Sequence, residues 1–334
     1  MPAIASPNVR GNVPILSLSH DAVTIPQALK AAGYVSMLAG KWHLGHPKGN
    51  WPGDYGFDEF WGSLAGTPGY YNVKDAYHNE TPIEVDGYFT DRITDKAIAF
   101  IELNFRRPFF LYLSYNAPHY PLEAPEELIA KYEAVYDHPL FPVYAAMVER
   151  MDYGIGRVLN ELDRRGLAAN TLVIFTADNG SPDFVQSKIP GKVVSRARRM
   201  LGDTGTHVPF FASWPGTAPA GTVSAELVDL TDILPTLAEL AGARLPQGVV
   251  IDGRSFAPQL QGQRGIRRAW IFTEWKRKSW IRNARWKLYA EGDFYDLDSD
   301  PDEARRLGAG DLDEEGRAAR RALESALFDL RSRR

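Results

Sequence analysis

The chain has 334 residues, enough for one large domain with an appendage or for two domains, and its formal charge of −4 argues against nucleic acid as the main partner, a role that shows as a strongly basic face. It contains no cysteine, which excludes disulfides, thiolate metal sites and a cysteine nucleophile. Residues 1–20 have no basic start followed by an apolar core, and no later stretch is apolar enough to span a bilayer, so neither an export signal nor a membrane partner is expected in the chain as given.

Residues 6–18, with Pro7, Gly11 and Pro14, read as an irregular lead-in. Thr24 is expected to cap a helix with Pro26 in its first turn, an apolar stripe of Ile25, Ala28, Leu29 and Ala32, and Gly33 at its end. A strand over 34–39 then runs into Gly40-Lys41-Trp42-His43-Leu44-Gly45-His46, where two glycines bracket a cation and an imidazole. Residues 50–71, rich in Gly, Pro and aromatics, suit an ordered loop that covers a site. In that loop Trp51, Trp61, Tyr70 and Tyr71 either line a pocket or pack the loop itself. A helix over 90–104 and a buried strand over 108–115 follow, the strand ending in Asn116-Ala117-Pro118-His119.

Phe141, Tyr144, Val148, Met151, Ile155, Val158 and Leu162 recur at steps of three and four and predict a long helix that Gly166 terminates. Leu172-Val173-Ile174-Phe175 has the composition of a strand buried on both faces of a parallel sheet, and is expected to be central. It ends in Thr176-Ala177-Asp178-Asn179-Gly180. The alternation of helix and strand from Thr24 onward predicts an α/β fold, a mostly parallel central sheet flanked by helices. A strand over 208–214 and a helix over 231–241 continue it. After about residue 262, short strands over 269–274, 279–283, 286–290 and 294–297 predict a small C-terminal antiparallel sheet, closed by a charged terminal helix over 312–331. The Arg, Lys and Trp interleaved over 267–287 read as alternation on this sheet and not as a nucleic-acid face. The expected domains are an α/β domain over 1–262 and a small α+β subdomain over 263–334.

In open α/β sheets ligands sit at the carboxyl ends of strands. Three strand ends here offer polar groups: Lys41 with His43, His119, and Asp178 with Asn179. Taken singly, an Asp-Asn-Gly triplet is as often a reversing turn, and a lone loop histidine more often packs or is solvated. Their agreement points to handling of a tetrahedral oxyanion. Asp178 and Asn179 would bind a cation, Lys41 would neutralise anionic oxygens, and the two imidazoles would move protons at a nucleophile and a leaving group.

The sequence resembles the sulfatase family, arylsulfatase-like members of the alkaline-phosphatase-like superfamily. Gly40-Lys41-Trp42-His43-Leu44-Gly45 is similar to the family's second signature, Asn116-Ala117-Pro118-His119 to its histidine loop and Thr176-Ala177-Asp178-Asn179-Gly180 to its metal-binding turn. Gly205-Thr206-His207-Val208-Pro209, residues 229–242, Arg285-Trp286-Lys287-Leu288 and Tyr295-Asp296-Leu297 follow in family order, so the resemblance runs from about residue 12 to 307. It implies hydrolysis of a sulfate ester of a small molecule or glycan, with Lys41 on the sulfate and the nucleophile, His43 managing the nucleophile's proton and His119 facing the leaving oxygen. It also implies Ca2+ or Mg2+ on Asp178 and Asn179. The family's nucleophile is a formylglycine hydrate made from cysteine or serine; it forms a covalent sulfate ester whose hemiacetal collapses to expel sulfate and restore the aldehyde.

Two departures accompany the match. The Cys/Ser-x-Pro-x-Arg signature and the paired aspartates before it do not stand in this sequence; in Ser6-Pro7-Asn8-Val9-Arg10 the proline directly follows the serine. The resemblance therefore implies an N-terminally incomplete chain without its nucleophile precursor, cytoplasmic if Met1 is the true start and periplasmic or secreted if a segment precedes it. Where the family places a sulfate-binding lysine, five residues before Asp203, stands Arg198. The alternatives are a phosphodiesterase or phosphonate hydrolase of the same superfamily and a non-catalytic truncated homologue.

Overall fold

In a computed structural model of the chain, residues 17–182, 184–185, 201–275 and 278–332 are described, with the backbone alone at 8–10, 13–15, 187–189, 192–194 and 204. These residues group into two compact units, Met1–Thr171 with Ile233–Ala257, and Leu172–Asp232 with Pro258–Arg334.

The first unit opens on an antiparallel pair, β1 (Asn8–Arg10) and β2 (Val13–Ile15). Helix α1 (Ile25–Lys30) starts where the sequence predicts. The Thr24 hydroxyl accepts from the Gln27 amide and the Gln27 side chain accepts from the Thr24 amide, so two otherwise unpaired groups satisfy each other. Gly33, at φ +83°, turns the chain out of it. Next come β3 (Val35–Lys41), β4 (Glu59–Ser63), β5 (Ala76–His78), β6 (Thr81–Pro82), helix α2 (Phe89–Asn104) and β7 (Phe109–Ser114). The strands form one mixed sheet in the order β6-β5-β4-β3-β7, in which β3 pairs in parallel with both β4 and β7 while β5 and β6 run antiparallel. Met37, Leu38 and Ala39 on β3 are fully buried, as a strand covered on both faces requires.

Strand β4 lies within the stretch expected as a loop. Its residues Glu59-Phe60-Trp61-Gly62-Ser63 include a glycine and no alternation, so its strand character comes from pairing with β3 from Met37↔Glu59 to Lys41↔Ser63. Two glycines make that approach possible. A Cβ on Gly62 would stand 1.8 Å from the Gly40 carbonyl oxygen, and one on Gly40 would stand 2.0 Å from the Ser114 carbonyl oxygen. Three backbones thereby close around the end of β3.

Helices α3 (Glu126–Glu133) and α4 (Phe141–Arg164) complete this run, α4 packing on α2 and α3 and giving way at Gly166, φ +68°. The Arg150 guanidinium forks onto Asp91 of α2 at 2.7 and 2.8 Å. Gly154 lets the helices meet, since a Cβ there would come within 2.5 Å of the Thr94 hydroxyl oxygen.

The second unit begins with β8 (Val173–Thr176), followed by the antiparallel pair β9 (Ser187–Ile189) and β10 (Lys192–Val194), the short helix α5 (Asp203–Thr206) and β11 (Phe210–Ser213). Among the described residues β8 pairs antiparallel with β11, from Phe210↔Thr176 to Ser213↔Val173, and not as a central parallel strand. Phe175 and Phe211 face each other at 6.1 Å and are 36% and 65% exposed. A four-residue apolar run records a preference for burial; it does not specify the partner strand or its direction.

Helix α6 (Ile233–Leu240), preceded by a 3-10 turn over Leu230–Asp232, belongs to the first unit and packs on α1. After α7 (Ala257–Leu260) the second unit resumes with an antiparallel meander of β12 (Ile271–Trp275), β13 (Lys278–Arg282), β14 (Trp286–Tyr289) and β15 (Phe294–Asp296). Helix α8 (Glu314–Ser332) lays Leu323 and Leu327 against Ile281, Trp286, Leu288 and Phe294. Both the sheet and the helix stand where the sequence predicts them. Among the described residues no helix is long and apolar enough to cross a membrane.

Candidate active site

Lys41 is the last residue of β3, and its backbone is fixed from both sides. Its carbonyl accepts from the Ser114 hydroxyl at 2.8 Å, while the next two amides, Trp42 and His43, donate to the Ser63 and Leu64 carbonyls at 2.9 and 3.3 Å. The Trp42 indole N–H donates to the Asn50 carbonyl at 2.8 Å, tying the following loop to the same place. His43 adopts φ +56°, a left-handed conformation that a non-glycine residue holds only where its surroundings impose it. Its ring lies over Gly66, where a Cβ would come within 2.4 Å of Cε1 and Nε2.

Partial withdrawal from solvent, then the positive charges of Lys41 and His119, push the His43 imidazole below its ordinary value. Because β3 and β7 are adjacent and parallel, Lys41 and His43 on one side and His119 on the other all stand at the same edge of the sheet. The shift keeps His43 neutral, and so able to accept a proton, near neutral pH.

His119 follows β7 on a loop with cis peptide bonds at Ala117-Pro118 and Tyr120-Pro121. Its amide donates to the Asn116 carbonyl at 2.9 Å. Its Nδ1 lies 2.8 Å from the Tyr120 carbonyl oxygen, which can only accept, so Nδ1 carries a proton and Nε2 is the nitrogen that exchanges one with a ligand. Asn116 is 4% exposed, and its Oδ1 has no hydrogen-bond partner among the described residues.

Asp178 and Asn179 belong to the second unit. They follow β8, with Asp178 exposed, and the adjoining Gly180 amide donates to the Gly205 carbonyl at 3.1 Å. The segment carrying Gly205 is gripped from the small sheet. Arg282 Nη1 donates to both Asp203 carboxylate oxygens, at 2.8 and 3.0 Å, and the fully buried Lys287 ammonium donates to the Leu201 carbonyl at 3.0 Å and to Glu303 at 2.7 Å. That ammonium also lies 4.4 Å from the Trp280 ring centroid. Burial pushes the Lys287 ammonium below its usual range, with Glu303 opposing the shift.

A calcium ion takes about six to eight oxygens. Asp178 and Asn179 supply a carboxylate and an amide, and among the described residues no three His, Cys, Asp or Glu side chains converge on a point. The pair does not fit a complete cation site by itself.

The other sequence candidates resolve differently. Arg198, Ser6 and Pro7 lie outside the described residues. His46 and His78 meet Asp75 and Glu59 at 3.5 and 3.3 Å on the surface, His138 accepts from the Leu140 amide at 3.1 Å, and His20 stacks on Tyr55 at 5.0 Å. Trp51, Trp61 and Tyr70 are buried and pack the loop, whereas Tyr71 is exposed. Within the motif around Lys287, Arg285 forks onto Asp296 at 2.9 and 2.8 Å and holds that carboxyl at about 2, well below the usual range. Tyr88, whose hydroxyl donates to the Glu123 carbonyl, and Glu303, which accepts from Lys287, carry no periodicity or spacing that would single them out in the sequence.

Comparison with known proteins gives a consistent set of relatives. The Sulfatase family profile matches residues 6–243, and that of the N-sulphoglucosamine sulphohydrolase C-terminal region matches residues 196–332. The chain is 30% identical over 303 residues to N-acetylgalactosamine-6-sulfatase of Mus musculus, covering 80% of this chain and 56% of that protein. It is 29% identical over 268 residues to the uncharacterized sulfatase YdeN of Escherichia coli, covering 72% and 47%. The chain thus spans about half the length of these curated relatives. Among solved structures, Ps i-CgsB in complex with k-i-k-neocarrahexaose superposes with a TM-score of 0.75 at 27% identity, over 90% of this chain and 72% of that one.

Proposed function

This chain belongs to the sulfatase family, and from that membership we propose that it serves the hydrolysis of sulfate esters of small molecules or glycans. The observation that supports the reading best is the shared neighbourhood of Lys41, His43 and His119 at the ends of the adjacent parallel strands β3 and β7. Lys41 draws negative charge off the sulfate oxygens, a contribution that grows as charge builds in the transition state. His43, held neutral, takes the proton of the attacking group. His119 gives a proton from Nε2 to the departing alcohol oxygen, and the Tyr120 carbonyl at its Nδ1 stabilises the imidazolium that precedes this transfer. General acid catalysis of this kind is worth about 10²- to 10⁴-fold.

The family works with a divalent metal and a formylglycine nucleophile. Asp178 and Asn179 would supply two of the oxygen ligands of a Ca2+ or Mg2+ ion, which would draw charge off the sulfate when bound. Arg198 is assigned to the sulfate as well, where a guanidinium fork would hold two oxygens at once.

The test is calorimetric binding of 4-nitrophenyl sulfate against 4-nitrophenyl phosphate, with nitrophenol release followed in parallel. The sulfate ester is expected to bind in preference, and Lys41→Ala to weaken it at least about tenfold, one lost charged contact. Preference for the phosphate ester, or sulfate binding indifferent to Lys41, overturns the reading.

A further inference from the structure

Two stacked tyrosines, their ring centroids 5.5 Å apart and 20° from parallel, hold the segment from His119 to Glu123 at both ends. The Tyr70 hydroxyl donates to the His119 carbonyl at 3.0 Å, and the Tyr88 hydroxyl to the Glu123 carbonyl at 2.8 Å. The Glu123 carboxylate in turn accepts from the Tyr70 amide at 2.8 Å, and the Tyr70 carbonyl from the Phe89 amide, also at 2.8 Å. Tyr70 is 0% exposed, its ring packed among Tyr88, Ala117, Ala124, Ala146 and Met147. Its hydroxyl therefore does something the ring does not. The ring fills the core of the loop, and among the described residues the hydroxyl donates to the main chain of His119. Burial pushes both phenols far above their usual range, so each remains a neutral donor at any working pH.

The carbonyl that Tyr70 holds belongs to the peptide joining His119 to Tyr120, and the next carbonyl along, that of Tyr120, is the acceptor for the His119 ring at Nδ1. Fixing the first peptide plane from its buried side fixes where the second carbonyl points. We propose that Tyr70 is a positioning residue for His119: its hydroxyl orients the backbone that selects the Nδ1-protonated form of the imidazole and so aims Nε2 at the leaving group. This rests on the reading of His119 as the leaving-group acid. Tyr88 tethers the far end of the same segment and carries no such link to the ring, which makes it the natural control.

The experiment is nitrogen NMR of the histidine side chains in the full chain, wild type against Tyr70→Phe and Tyr88→Phe. Phenylalanine keeps the ring and removes one buried donor, a loss that corresponds to about a tenfold change in a local equilibrium. The wild type is expected to show His119 protonated at Nδ1 with that proton slow to exchange. Tyr70→Phe is expected to populate the Nε2-protonated form and to speed exchange at Nδ1 about tenfold, while Tyr88→Phe leaves both signals in place. A wild-type His119 protonated at Nε2 alone, the neutral tautomer with Nδ1 bare, overturns the proposal without recourse to any variant. So does an unchanged tautomer in Tyr70→Phe, or an equal shift in Tyr88→Phe, which would reduce both tyrosines to general support of the loop. The functional reading is tested separately by sulfate-ester binding, so a tautomer switch in a protein indifferent to sulfate esters would refute the function and leave the positioning intact.

Discussion

Lys41 and Lys287 each sit on or beside a strand with a tryptophan next to it in sequence, and the two units treat them in opposite ways. Lys287 is 0% exposed, and its ammonium is surrounded by Glu303, the Leu201 carbonyl and the faces of Trp280 and Tyr289. Lys41 is half-buried, and its backbone is held from Ser114 on one side and through Trp42 and His43 to β4 and its following loop on the other. A cation enclosed by its own fold is a tie between elements. The half-buried Lys41, beside two imidazoles, is the cation proposed to meet a ligand.

The same substitution at the two positions gives the widest separation. Lys287→Met leaves the half-buried Glu303 without its counter-charge and is expected to cost about 3 kcal/mol in denaturant unfolding, part of it recovered by adding Glu303→Met. Lys41→Met is expected to cost less than about 1 kcal/mol while weakening sulfate-ester binding at least about tenfold; equal losses at the two sites would erase the contrast. Next in size, Gly62→Ala forces a methyl into the Gly40 carbonyl and should remove about 3 kcal/mol, measurable as a lower midpoint of unfolding at unchanged slope.

A smaller effect belongs to His43. Its folded imidazole titrates below its ordinary 6.5, so the unfolded chain binds more protons in that range and stability rises with pH there. On acidification this contribution is lost from about pH 6.5 down through the folded value. Unfolding measured from pH 7 to 5 should therefore fall less steeply in His43→Gln than in the wild type. The smallest effect is expected at Asp178, exposed at its turn: Asp178→Ala should leave stability within about 0.5 kcal/mol, and calcium titration of the wild type should give a Kd no tighter than about 1 mM, as two side-chain ligands allow. Tighter binding would mean that further carboxylates complete the site.

What the sequence made legible was local. The cap at Thr24, the helix over α4 and the polar residues following β3 and β7 are all written in neighbouring residues, and they stand as predicted, although only Val158 and Leu162 of the α4 stripe are buried. Long-range pairing was not legible. Strand β4 has no pattern of its own and exists because β3 lies beside it, and β8 reads as apolar whichever way its partner runs. Tyr70 belongs to the same class: a tyrosine in a loop of Gly, Pro and aromatics gives no sign that its hydroxyl ends on a carbonyl 49 positions away. Arg198, with the likeness around Ser6, lies outside the described residues.

Neither unit is a continuous stretch of chain. The first takes α6 from residues 233–257 and packs it on α1, about two hundred positions earlier, while the second is split around that same excursion. On the ribosome, where synthesis runs at about 5–20 residues per second, α1 must therefore wait on the order of ten seconds or more for its partner, and the second unit cannot close until the last sheet and helix have emerged. Cutting the gene at residue 171 would yield a first unit with an open helix face, and no single cut yields the second. Expression trials that seek a minimal domain should join segments, not truncate one.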